Sequence, residues 1–197
     1  MPQLNPDLWP MMQTYLKSRE LDFECAKANL WYPSSTAGDG VNRIVMPATN
    51  LRGCAYWQAR AMGKEEPRYQ SPSVPRSDSV IQVYPLNTDW LPMLIISEGP
   101  MDALAAATHG IRAIALMGLS PTDDTLATVK TFMEDVKHTM FFADRDALPE
   151  TVELLRRCLK LNIHFTISSP EPYKDLAAIP KSKRNSILQM FLAMCPK

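Results

Sequence analysis

No two of the four cysteines in this 197-residue chain, Cys25, Cys54, Cys158 and Cys195, stand in a C-x-x-C spacing. That excludes a zinc ribbon, whose ligands come in such pairs, and leaves reduced structural thiols as the expectation. No apolar run approaches the roughly 20 residues that a bilayer-spanning helix needs. The N-terminus has no basic segment followed by a long apolar one, so no secretion signal is read. A cytoplasmic protein without a membrane partner is the expectation. Net charge is missing too, with 21 basic against 21 acidic residues, so bulk charge points to no partner. The three histidines, His109, His138 and His164, have no clustered partner and read as structural. No internal repeat is visible.

The length suits one ordinary domain or two small ones, and 46% hydrophobic residues suffice for a core. The balanced charge is unevenly spread. From Arg43 to Arg76 six basic residues (Arg43, Arg52, Arg60, Lys64, Arg68, Arg76) stand against Glu65 and Glu66, whereas from Leu91 to Glu150 nine acidic residues stand against four basic. A basic first half beside an acidic second half suits a polyanion held over a metal. A solvated basic face is the alternative.

Met1 to Pro10 reads as extended. Met11 to Asn29 has helical spacing, with a break near Leu21-Asp22 giving two short helices. Trp31-Tyr32-Pro33 starts a loop. Arg43 to Met46 reads as a strand, Thr49 to Gly53 as a hairpin turn and Cys54 to Ala61 as the return strand. Gly63 to Pro75 is a loop or extended strap, and Val80 to Pro85 a further strand. Beyond a boundary at Asn87 to Pro92 the pattern becomes regular. Strands are expected at Leu94–Ser97, Ala113–Leu116, Thr139–Ala143 and His164–Ser168, and helices at Met101–His109, Thr122–Glu134 and Pro149–Lys160. Gly110 suits a helix C-terminus, Thr122 an N-cap and Pro149 a first turn. Residues 181–197 start basic and continue as a helix from Ile187 to Met194. Three regions result: 1–90, a small α+β subdomain; 91–180, an α/β domain with a parallel sheet and flanking helices; and 181–197, a helical tail.

Within the second region, two apolar runs end in acids. Leu94-Ile95-Ile96 leads into Ser97-Glu98-Gly99-Pro100-Met101-Asp102, and Met140-Phe141-Phe142-Ala143 leads into Asp144-Arg145-Asp146. In parallel α/β sheets ligands bind outside the carboxyl ends of the strands. Carboxylates gathered there repel one another and call for a cation. Oxygen-only ligands suit hard ions, so Glu98, Asp102, Asp144 and Asp146 are read as one site for magnesium or manganese. Such a site takes much of its shell from water and phosphate, which points to phosphoryl chemistry.

These motifs resemble the Toprim domain shared by DnaG-type primases, topoisomerases and some nucleases. The family's E-G-x-x-D corresponds to Glu98-Gly99-Pro100-Met101-Asp102, and its D-x-D to Asp144-Arg145-Asp146. Ala115 to Ser120 is similar to the intervening strand and turn, and Lys174-Asp175-Leu176 to the third acidic motif. The resemblance implies a Rossmann-like Toprim fold over about Leu91 to Pro180. It adds Asp175 to the metal ligands and gives Glu98, Asp144 and Asp146 catalytic roles. The first region resembles the N-terminal subdomain of the primase core. The similar pieces are Tyr15 to Arg19, Arg43 to Pro47, Arg52-Gly53, Arg60 and Pro67-Arg68-Tyr69-Gln70-Ser71-Pro72. In family terms this segment separates primases from topoisomerases and Toprim nucleases. Two departures stand out. Ala147-Leu148-Pro149 replaces a family glycine after D-x-D, and Ala177-Ala178 replaces further polar positions in the third motif.

The resemblance implies template-directed synthesis of short RNA primers on single-stranded DNA from ribonucleoside triphosphates, dependent on magnesium or manganese. Arg43, Arg60 and Arg68 would contact template or triphosphate phosphates, with Lys64 and Arg52 as lesser candidates. Tyr69 and Trp57 could stack on bases, with core packing favoured for Trp57. A replicative helicase and a separate zinc-binding template-recognition protein are the expected partners, and a phage or mobile element would suit the reduced architecture. The alternatives are a metal-dependent nuclease and a non-catalytic nucleic-acid-binding replication accessory protein.

Overall fold

Buried aliphatic runs make the strands, and their spacing sorts them into two sheets. The computed structural model describes residues 1–50, 56–74, 78–87, 92–168 and 172–194. The first sheet is antiparallel, in the order β1 (Tyr32–Ser34), β2 (Arg43–Ala48), β3 (Tyr56–Ala61), β4 (Tyr69–Gln70). It follows two helices, α1 (Trp9–Ser18) and α2 (Phe23–Ala28). The break between them falls as expected, with Glu20 in the left-handed region at φ 55° and Asp22 capping α2 through Cys25 N. Helix α1 begins earlier than expected, because Pro10 sits in its first turn, where a missing N–H costs nothing. Tyr32–Ser34, expected as loop, pairs with β2, and the strap contributes Tyr69 and Gln70 as an edge pair against β3. The expected hairpin turn, with Arg52 and Gly53, lies outside the described residues.

The second sheet has the order β5 (Ile81–Val83), β7 (Arg112–Ala115), β6 (Met93–Ser97), β8 (His138–Phe142), β9 (Thr166–Ser168). All pairs are parallel except β5 against β7. Helices α3 (Pro100–Ala107), α4 (Asp123–Met133) and α5 (Leu148–Lys160) cross between its strands. Thr122 caps α4 by accepting Thr125 N, and Asp123 and Asp124 occupy its first turn, where they favour the helix dipole. Gly110, at φ 81°, ends the turn after α3. The fold is the expected α/β arrangement, a parallel-containing sheet with flanking helices.

Strand alternation assigns the two faces. Ile95, Ala113, Ala115, Met140 and Phe142 join one buried cluster with α3, while Leu94, Ile96, Ile114, Phe141 and Ala143 join another with α4 and α5. The first cluster does not stop at the sheet. It continues through Met12, Leu16, Trp31, Ile44 and Met46 into the N-terminal helices and first sheet. Helix α3, buried at every position and rich in alanine, packs on β5, β6 and β7 and against α2, and belongs to the core that both regions share. A bridge from Thr49 to Val80 joins them directly. Two features differ from the expected division. Strand β5 precedes residue 90 yet belongs to the second sheet, and α6 (Lys181–Met194) begins six residues before Ile187 and plugs Leu188 into the shared core. A shared core predicts shared unfolding. Met46→Ala and Ile95→Ala should each cost about 2–5 kcal/mol. In chemical denaturation followed by near-ultraviolet circular dichroism, both should shift one common transition, and two separable transitions would contradict the continuity.

Candidate active site

Strand β6 lies between β7 and β8, so the chain leaves it first to one side and then to the other. This reversal opens a crevice at the carboxyl ends of β6 and β8. Ser97 stands opposite Phe142 in the register, so Glu98 and Asp144 follow adjacent strands just past their ends. Gly99 caps α3, and Asp102 occupies the helix's first turn. A Cβ at Gly99 would lie 3.3 Å from Asp102 Oδ2, so the missing side chain leaves room for that carboxylate.

Glu98, Asp102, Asp144 and Asp175 surround one pocket of about 120 Å³. Arg19, Arg60, Arg68, Tyr69 and Lys174 line the same space. Asp102 is 7% exposed, and its Oδ1 accepts Ala177 N at 2.8 Å. Asp175 accepts Ala178 N at 2.7 Å, which closes the turn of the third motif. That turn is zipped to the second motif by Arg145, whose N–H donates to Lys174 O and whose guanidinium donates to Pro172 O. Asp146 points outward and pairs with Lys174 Nζ at 3.1 Å on the rim.

Crowding shows in the proton affinities. Burial, with Asp175 and Asp144 nearby, raises the Asp102 carboxyl, and the Ala177 N–H only partly offsets this. Burial together with Glu98, Asp175 and Asp146 pushes Asp144 up to about 7. Glu98 is raised by burial and by Asp146 and Glu150. Asp146 is lowered by its hydrogen bond to Lys174.

The basic candidates separate sharply. Arg43 is 0% exposed: its guanidinium donates to Pro67 O at 2.9 Å and to Arg68 O, and pairs with Asp39 at 3.3 Å. The expected phosphate contact from Arg43 is therefore corrected, because this side chain is consumed inside the first sheet. Arg60 reaches the pocket but is held by Tyr15 OH and, at 2.5 Å, by Tyr69 OH. Burial works against its charge, and the two phenols outweigh burial and raise its pKa. Arg68 is exposed at the pocket mouth, and Lys64 is exposed in the loop without lining it. Trp57 packs against Val45 and Ala59 on the outer face of the first sheet. Arg19 was given no role by sequence. It reaches the pocket from the end of α1, its Nε is buried without a partner, and its charge faces Asp102. A basic residue at the end of a helix that opens the subdomain is the signal that could have marked it.

The donor set fits a hard divalent cation in kind, being carboxylate oxygen crowded enough to hold protons well above the usual range. It is not a finished cage: among the described residues no three His, Cys, Asp or Glu side chains close on one point. The five expected ligands thus share a neighbourhood, with Asp146 turned to Lys174. Such an arrangement suits magnesium, which uses one or two carboxylates and completes its shell with water and phosphate.

Residues 95–177 match the family model described as Toprim-like. Toprim domains are generally dependent on a divalent metal. No curated protein matches the chain by sequence. Among solved structures, the chain is similar to the Escherichia coli primase catalytic core (17% identity, 96% of this chain and 74% of that one, TM-score 0.70). It is also similar to a DnaG primase catalytic domain bound to single-stranded DNA (16% identity, 93% and 71%, TM-score 0.68). The chain has the fold of these primase catalytic cores.

The raised carboxyls predict a pH signature. Asp144 titrates near 3.9 when unfolded and near 7 when folded, so between these values the folded state holds more protons. Stability without metal should then fall as pH rises from about 4 to about 7. Added manganese should flatten the slope, and Asp144→Asn should reduce it without metal. Thermal melts across that range check this, and a slope of opposite sign would refute it.

Proposed function

We propose that this chain is the catalytic core of a DNA primase, making short RNA primers from ribonucleoside triphosphates on a single-stranded DNA template. The observation that carries the reading is the shared pocket, where carboxylates from the second sheet face guanidinium groups from the N-terminal subdomain. The fold likeness to a primase domain bound to single-stranded DNA supports it. A replicative helicase and a separate zinc-binding template-recognition protein are the partners such a core would work with.

Glu98, Asp144 and Asp175, with Asp102 behind them, would hold magnesium or manganese, with Asp146 completing the set from the rim. When bound, the metal supplies charge neutralisation for the triphosphate. The rest is the work of the chain. Arg19 and Arg68 bind the phosphates, being the pocket guanidiniums that, among the described residues, have no side-chain hydrogen bond or ion pair. Arg60, held between Tyr15 and Tyr69, fixes the wall and adds a positive field. Glu98, whose carboxyl is raised, accepts the proton of the attacking 3′-hydroxyl at its carboxylate oxygen. Burial of Asp102 and the Ala177 N–H holds the acidic floor in place.

Glu98→Gln keeps the shape and removes the base. Primer synthesis from ribonucleotides on mixed-sequence single strands with manganese should fall about a hundredfold or more. Unchanged synthesis would remove the reading. Cleavage of labelled strands without synthesis would assign a nuclease, and strand binding with neither activity an accessory protein. In a second measurement, Arg68→Ala should make the salt dependence of strand affinity shallower by about one phosphate contact. Arg43→Ala should leave that slope alone while lowering the melting temperature.

A further inference from the structure

A groove of about 440 Å³ lies beside the acidic pocket, with residues 18–20 on one wall and 177–180 on the other. Arg19 and Ala177 line both spaces, so the groove and the pocket adjoin. The two walls are far apart in sequence, and among the described residues no hydrogen bond joins residues 18–20 directly to residues 177–180. Beneath both lies Arg184 of α6, 0% exposed. Its Nη1 donates to Glu20 O at 3.3 Å, and its Nη2 donates to Ala177 O at 3.2 Å and Ile179 O at 2.7 Å. Lys181 N doubles the seam by donating to the Glu20 carboxylate at 2.5 Å.

Among the described residues no carboxylate is bonded to this guanidinium, and its Nε has no partner. Removing a charge from water on such terms is costly. A methionine of similar length would fill the space without that cost. An apolar side chain cannot satisfy three carbonyls at once, and those three fix the spacing of two chain segments. Ala177 gives its carbonyl to Arg184 and its N–H to Asp102, so one peptide segment links the guanidinium to the acidic floor.

We propose that Arg184 is a positioning residue. Its buried guanidinium sets the gap between the Arg19 wall and the turn bearing Asp175 and Ala177, and with it the geometry in which the pocket takes a divalent cation and a triphosphate. The inference rests on the reading of this pocket as a metal and triphosphate site. Loosening the turn frees the Ala177 N–H from Asp102 and lets Asp175 drift.

The test compares Arg184→Met, Arg184→Lys, Glu20→Ala and Leu188→Ala in the full chain. Leu188 is a buried core side chain on the same helix and lines neither the groove nor the pocket. Calorimetry with manganese alone, hydrogen exchange at the Ala177 amide and primer synthesis are measured below each variant's melting temperature. Arg184→Met should weaken manganese binding by about tenfold to a hundredfold, the range for outer partners of metal ligands. It should also speed Ala177 exchange, and Arg184→Lys should recover part of both. Glu20→Ala, which removes the second tie without emptying the core, should move both in the same direction by less, and it decides the matter if Arg184→Met does not fold. Leu188→Ala should lower the melting temperature and leave both readouts alone. Wild-type manganese affinity and Ala177 protection in Arg184→Met would overturn the inference, as would equal losses in Leu188→Ala. A wild-type chain that binds manganese but makes no primers removes the proposed function and leaves the inference standing on affinity. If wild type binds no manganese, the metal-site reading falls and the inference falls with it.

Discussion

Repulsion among carboxylates is the constraint to which the rest of the molecule answers. Glu98 and Asp144 follow neighbouring parallel strands, and Asp102 and Asp175 close the same space from a helix and a turn. Each is partly or fully removed from water, so their fields add instead of being screened. Left alone, such a cluster would spread apart or stay protonated. The surrounding features each reduce that tendency. Gly99 leaves room for Asp102, the Ala177 N–H binds it, and Lys174 draws Asp146 to the rim. Three arginines from the N-terminal subdomain face the cluster without forming ion pairs with it. The residual repulsion is what a bound cation would relieve.

The sheet makes this crowding possible at tolerable cost. With β7 and β8 on opposite sides of β6, the chain diverges at that point and leaves a crevice. Helix α3 then enters with its N-terminal end at the acids, where its dipole favours negative charge. Its alanines pack closely on the second sheet and against α2, and the core shared with the first region brings basic residues of that region to the acidic ones of the second. The continuous core is therefore part of the site: it fixes the distance between opposite charges contributed by separate parts of the chain.

Much of this was legible in the residues. Buried runs ending in Glu98 and in Asp144 marked the strands, and capping residues such as Thr122 and Gly110 marked the helix ends to within a residue or two. These are local signals with local causes. Side-chain direction is not local. Arg43 and Arg60 look alike in sequence and lie in paired strands, yet Arg43 meets Asp39 and two carbonyls while Arg60 meets two tyrosines at the pocket. Asp144 and Asp146 share one motif, but the tight turn at residues 145–147 sends the second toward Lys174. Strand β5 looked like part of the first region because its sequence neighbours are there, and its partner β7 comes some thirty residues later.

Arginine count is a poor guide to the field at a site, because burial divides the arginines into two kinds. Arg43 and Arg184 are wholly out of water and spend their donors on backbone carbonyls. Their charge is locked to fixed partners, and they act as rivets between chain segments. Arg19 and Arg68 keep donors unspent at the pocket and can meet an anion. Arg60 lies between, oriented by phenols whose neutral oxygens leave its charge uncancelled. A guanidinium bound to a carboxylate has little field left for a ligand, while one bound to carbonyls or phenols keeps its full charge with its position fixed. Neutral acceptors therefore let the protein hold cations rigidly beside an acidic pocket without neutralising the acids that a metal must find charged.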